Sequence, residues 1–175
     1  KWPSADYATY QKAIIAGATN NQLQKLSLLQ SIPDIYPQSN LIAQARLEMA
    51  NTYLADEAFE KALTPLQALL NQKDAAAFYP IAYQKMGIAY FNLNNNEASL
   101  TQFKQLVSKY PNSTEAESSV EYVRNIFMEQ QAPLEYISFM EANGKKIAVN
   151  EADSVTYKSA IIRFELKDNL GAEAG

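Results

Sequence analysis

Large apolar side chains return in this chain every 37 residues, from Leu26 to Phe164. Leu26, Leu63, Leu100 and Ile137 form one series, and Leu29, Leu66, Phe103 and Met140 form a second. Tyr53, Tyr90, Phe127 and Phe164 form a third, and Tyr36-Pro37-Gln38-Ser39 returns as Tyr110-Pro111-Asn112-Ser113 two steps later. A unit of this length is one supersecondary element, too small to bury its apolar side alone, so neighbouring units must stack. The interval predicts an all-α solenoid of antiparallel helix pairs: a surface for holding other molecules.

Punctuation places the helices. Pairs are expected near 4–37, 39–73, 76–111 and 113–143, followed by a connector at 144–152 and an extra helix at 153–168, within one solenoid spanning 1–175. Gly17-Ala18-Thr19-Asn20, Ala55-Asp56-Glu57 and Asn94-Asn95-Asn96 are expected turns inside pairs. Pro37 ends the first pair, since proline has no amide to continue a helix, and Ser39 or Asn40 can cap the next one. Pro65 is expected to kink its helix or mark a late start, whereas Pro80 sits in a first turn, where the missing amide costs little. Thr114 and Glu117 have the spacing of a capping box. Met86, Tyr90 and Leu93 share one helix face, at the three- and four-residue spacing of an apolar stripe. Gly144-Lys145-Lys146-Ile147-Ala148-Val149 breaks the pattern and reads as an extended connector. Because the chain opens directly into repeat-like sequence and stops where a partner helix should begin, it is expected to be a piece of a longer array.

Composition removes whole classes of chemistry. The 175 residues contain no cysteine and no histidine. Disulfides, thiolate nucleophiles and cysteine zinc sites are therefore excluded. So are the commonest general base, the commonest metal ligand and any Ser-His-Asp arrangement. A net charge of −4, without a dense Lys/Arg run, argues against nucleic acid as partner. No apolar stretch reaches the ~20 residues a spanning helix needs, so no membrane insertion is expected in this segment. No cofactor or metal is expected.

The third pair resembles the tetratricopeptide repeat family. Tyr83, Met86, Gly87, Tyr90, Leu100, Phe103, Leu106 and Pro111 fall where that family's signature has large, small and proline residues. Met49, Ala50, Tyr53, Ala62, Leu63, Leu66 and Leu69 follow it in the second pair. Gly87 and Ala50 are small where two helices approach closely. The resemblance weakens at the first pair and the tail, and it departs from the family in three extra residues per repeat and in Ser99 at a usual alanine. The longer spacing and the Tyr-Pro-x-Ser turn are similar to tetratricopeptide proteins of the Gram-negative envelope, of the Tol–Pal coordinator type or the large repeat proteins of Bacteroidetes. That likeness implies the periplasm or an outer-membrane association, with the cytoplasm left open.

The resemblance also implies a right-handed superhelix whose concave face is lined by the first helix of each pair. Helical spacing then directs Tyr7 and Tyr10, Leu47, Asn51 and Leu54, Ile81, Gln84, Ile88, Phe91 and Asn92, and Glu121 and Asn125 toward that groove. Apolar and amide side chains together suit an extended peptide or a partner helix. The competing explanation is that the superhelical twist or neighbouring repeats bury them. Some relatives grip a terminal carboxylate; here Asn51 and Asn92 lack a basic companion, with Arg46 and Lys85 expected on the flank or toward the helix pair. Catalysis would need a close carboxylate pair from Asp56, Glu57 and Glu60 or from Glu115, Glu117 and Glu121. Acidic residues at helix starts are better explained as solvated partners of the helix dipole. The expected function is a non-enzymatic scaffold for a protein or peptide, with a spacer segment of a longer envelope protein as the alternative.

Overall fold

The computed structural model describes residues 4–145, together with Tyr157 and Ile161. The expected connector and extra helix lie outside the described residues, apart from Gly144, Lys145, Tyr157 and Ile161. Among the described residues the fold is an all-α solenoid of helix pairs. Its elements are α1 (Ala5–Ala18), α2 (Gln22–Ile35), α3 (Ile42–Ala55) and α4 (Phe59–Leu70), then a 3-10 helix (Lys73–Phe78), α5 (Tyr79–Asn92), α6 (Asn96–Lys109), α7 (Thr114–Ser118), α8 (Val120–Glu129) and α9 (Pro133–Ala142).

The repeat is written into the backbone as well as the side chains. Asn20, Glu57, Asn94 and Gln131 have φ of 61°, 54°, 56° and 55°, all in the left-handed region, and they are spaced 37 residues apart. Each is followed by the same bond. Asn21 N–H donates to Ala16 O, Ala58 to Tyr53 O, Asn95 to Tyr90 O and Ala132 to Phe127 O, at 2.8–2.9 Å. This six-residue closure is the Schellman motif, in which a left-handed residue ends one helix and frees the chain to reverse into the next. The acceptors at 53, 90 and 127 are the aromatic series seen in the sequence, so that column marks the last helical turn of each first helix.

The chain forms two compact units, Lys1–Gln102 and Phe103–Gly175, with the boundary inside α6. In the first unit, sequential helices pack: α1 on α2, α2 on α3, α3 on α4 and α4 on α5. One core cluster joins Ala13, Leu29, Ile32, Ile42, Ala45 and Met49. A second joins Ala43, Ala50, Leu66, Leu69, Ala75, Ala82 and Met86. Small residues dominate where α3 meets its neighbours, which lets the helices approach closely. Ser99 is fully buried, and its hydroxyl donates to Gly87 O at 2.8 Å, so the hydroxyl that departs from the family's alanine has a partner. In the second unit, Phe103 stacks on Tyr122 with centroids 5.3 Å apart. Lys104 Nζ lies 4.8 Å from the Phe127 ring centroid and 5.7 Å from that of Phe139. Leu29, Leu66, Phe103 and Met140, the second series, are all 0–2 % exposed.

Local expectations are corrected at four places. α4 runs through Pro65 from Phe59, so Pro65 is not a late start, and its ring is buried. The third pair, expected from 76, opens with a 3-10 helix (Lys73–Phe78), and its α-helix begins at Tyr79. The first helix of the pair expected over 113–143 divides at Ser119 into α7 and α8. There Ser119 Oγ donates back to Glu115 O at 2.7 Å and Ser118 Oγ to Thr114 O at 2.9 Å, the back-bonding that bends helices. Finally, the cap of α7 is Ser113, whose Oγ accepts from Ala116 N–H at 3.1 Å. Thr114 is thus one residue inside the helix, and its hydroxyl donates to Glu115 Oε2 instead.

Candidate functional site

In the first unit the first helices of the pairs are α1, α3 and α5. Tyr7 is 45 % exposed. Tyr10 is half-buried and packs on the first core cluster, and Leu47 packs in the same way on the second. Both are therefore partly structural. Leu54, Ile81, Gln84, Ile88 and Phe91 are half-buried, and Asn92 is exposed. Asn92 Nδ2 donates to Ile88 O at 2.9 Å, a bond within its own helix.

The structure gathers part of this set around a residue that sequence reasoning missed. Glu48, on α3, accepts from Asn51 Nδ2 at 3.4 Å and pairs with Lys25 Nζ of α2 at 3.1 Å. The Lys25 side chain is 14 % exposed. It lies across Gly17 of α1, where an added Cβ would stand 2.8 Å from Lys25 Cδ. Burial raises the Tyr10 phenol above its ordinary pKa, and the Glu48 charge raises it further. Burial also pulls the Lys85 amine below its ordinary value, while Glu48 acts against that shift. One carboxylate therefore interacts with groups from α1, α2, α3 and α5. Lys85 was expected on the flank or toward the helix pair, and its amine feels the Glu48 charge. The missed signal was the interval itself, since Glu48 and Lys85 are one repeat apart. Equivalent positions of stacked repeats are neighbours, so opposite charges there attract.

Arg46 points toward its own pair, as expected. Its Nη1 donates to Ala68 O at 3.0 Å and to Gln72 Oε1 at 2.7 Å, at the C-terminal end of α4. Glu121 and Asn125 belong to the second unit and are exposed; Glu121 Oε1 lies 3.7 Å from Arg124 Nη2 one helical turn away. Among the described residues no group of three acidic side chains is placed to hold a metal ion. Asp56, Glu57 and Glu60 are exposed. No described helix is long and apolar enough to cross a membrane.

Residues 82–113 match the tetratricopeptide repeat family. The match covers most of α5, all of α6 and the Tyr110-Pro111-Asn112-Ser113 turn. Those are the residues of the repeat that carries the Ser99–Gly87 bond and the third left-handed turn. No curated protein matches the chain. Tetratricopeptide repeats generally mediate protein–protein interactions, and proteins built from them are generally non-enzymatic scaffolds.

Proposed function

We propose that the chain is a protein-binding scaffold that holds a peptide or partner helix against the first-helix faces of its repeats. One column carries the reading. Leu54 and Phe91, both in the first unit, stand one repeat apart and are apolar, yet each is only half-buried. A column kept apolar for packing alone would be covered, as the Leu29, Leu66, Phe103 and Met140 column is. Half-buried apolar positions beside amides such as Asn51 and Gln84 match what an amphipathic helix or extended peptide presents. The longer repeat and the Tyr-Pro-x-Ser turn support a place among envelope repeat proteins, in the periplasm or at the outer membrane.

The test is capture from a lysate of the source organism by the native chain and by a Leu54→Glu, Phe91→Glu variant of unchanged helicity. Leu47 and Tyr10 are left intact because they support the core. A partner retained by the native chain and lost by the variant supports the proposal. Equal retention by both would refute it and favour a spacer whose binding site lies elsewhere.

A further inference from the structure

The chain contains one Asn-Gly step, Asn143-Gly144, at the end of α9. Such a step is chemically reactive in water. The main-chain nitrogen of the second residue can attack the carboxamide carbon of the first, and glycine leaves that nitrogen unshielded. Gly144 is exposed, and a Cβ added to it would meet nothing within 4 Å. Its φ of 71° lies in the left-handed region, so the helix ending itself calls for glycine beside this asparagine.

Both reacting groups are engaged in the folded chain. Asn143 Nδ2 donates to Phe139 O at 2.7 Å, and Gly144 N–H donates to Glu141 O at 2.9 Å. Lys145 N–H closes the helix on Met140 O at 3.0 Å, and Lys145 Nζ donates to Pro111 O in the turn before α7. All of these groups belong to the second unit. Ring closure requires Gly144 N–H to leave Glu141 O and the carboxamide to leave Phe139 O. Opening of the last turn of α9 therefore governs the reaction, and helix ends open locally at far less cost than a core.

We propose that Asn143 is a self-modification site whose conversion irreversibly unlatches the end of α9. The bond from Gly144 N to Asn143 Cγ forms, the Cγ–Nδ2 bond breaks, and ammonia leaves with the Gly144 proton. Water then opens the five-membered imide at either carbonyl, giving aspartate or isoaspartate. Both products lose the donor to Phe139 O and place a carboxylate beside the last carbonyls of α9, where the helix dipole disfavours it. Isoaspartate also adds one carbon to the main chain, so the closures on Glu141 O and Met140 O fall out of register and Lys145 parts from Pro111 O. Because ammonia is lost, the change runs one way, and the converted fraction records the age of the molecule. This site is independent of the α3 and α5 face.

The experiment ages the full chain in mildly alkaline buffer and follows each asparagine by peptide mapping, with a methyl-acceptor assay for isoaspartate. Asn143 is expected to convert ahead of the exposed Asn94 and Asn112, with isoaspartate exceeding aspartate. A free peptide of residues 141–145 should convert about thirtyfold faster, the equivalent of the two hydrogen bonds it lacks. Asn143→Gln, which keeps an amide but lengthens the ring, should not convert. The aged chain and Asn143→Asp should both exchange the Lys145 amide about tenfold faster than the fresh native chain, with the Phe127 and Tyr136 amides unchanged. The proposal is overturned if another asparagine converts first, or if Asn143 in the folded chain converts as fast as the peptide. It is equally overturned if Asn143 stays intact long after the scaled peptide rate would have consumed it, or if conversion leaves Lys145 exchange unchanged.

Discussion

Glu57 occupies a backbone conformation that its side chain does not favour, and replacing it with glycine should stabilise the protein. Its φ is 54°, in the left-handed region, where a Cβ crowds the following carbonyl at a cost of about 1–2 kcal/mol. Its side chain is exposed and makes no hydrogen bond or ion pair among the described residues, so the substitution removes little else. Against the gain stands the greater freedom of glycine in the unfolded chain, about 0.4–1 kcal/mol. The net expectation is a stabilisation of about 0.5–1 kcal/mol, or about 2 °C in Tm for a chain of this size. Asparagine, which tolerates this region, should recover part of that gain. The control is Gln67→Gly at an exposed site inside α4, where glycine should cost up to about 1 kcal/mol. Urea melts followed by circular dichroism measure both. Opposite signs are the prediction; a loss at Glu57 as large as at Gln67 would refute the argument that the turn, rather than helix propensity, governs this position.

Three further expectations follow from the packing. Ser99→Ala removes the bond to Gly87 O, worth about 1 kcal/mol, while alanine's helix propensity returns about half of that; a net loss near 0.5 kcal/mol in urea melts is expected. Gly17→Ala should be nearly neutral alone, because the helix gain of about 0.5–1 kcal/mol is offset as the new methyl displaces Lys25 from Glu48. In a Lys25→Ala background the same change should deliver the full gain, and a double-mutant cycle reads the difference. Tyr10 should make stability fall at alkaline pH. Its folded-state pKa is raised above the ordinary 10.0, so its contribution is complete below pH 10.0 and is lost as pH rises through the folded value. Tyr10→Phe should flatten that loss, measured as the native-minus-variant difference in urea midpoint between pH 9 and 11.

The architecture was legible because burial and turn chemistry are both periodic. Leu29, Leu66, Phe103 and Met140 had to be similar in size, since equivalent places in a stacked core have similar volume to fill. Asparagine signals the left-handed turn residue at positions 20 and 94, whereas Glu57, although inside a turn the sequence marks, and Gln131 carry no such signal of their own. At those two positions the tertiary reversal imposes a conformation that the residue does not signal. Ser118 and Ser119 show the same limit: their back-bonding divides a helix whose apolar spacing reads as continuous. The site was less legible. Tyr10 and Leu47 were read as groove residues, but helical spacing gives only a direction and not the depth to which a neighbour covers it. Glu48 escaped notice because its partners lie on three other helices, and only alignment of the repeats brings Lys85 beside it.

The two kinds of column also differ in how they change along the chain, and that difference bears on function. Leu47, Gln84 and Glu121 are equivalent positions on first-helix faces, and they pass from apolar to amide to acid. Asn51, Ile88 and Asn125 alternate in the same way. Nothing in the packing of a solenoid requires this variety, because a stack of identical repeats is stable by the same neighbour interfaces. Beside these columns, Leu54 and Phe91 of the first unit remain apolar and half-buried. Within the first unit, a face with one apolar line and chemically different flanks at each step can hold one ligand in one register. The Lys25–Glu48 ion pair ties α2 to α3, and Glu48 also acts electrostatically on Tyr10 of α1 and Lys85 of α5, limiting how far that face can relax when a partner is absent. Removing the carboxylate by Glu48→Gln should therefore loosen the face before it unfolds the core, seen as faster amide exchange in α3 and α5 with Leu66 and Leu69 still protected. Uniform loss of protection across the first unit would mean instead that Glu48 serves stability alone.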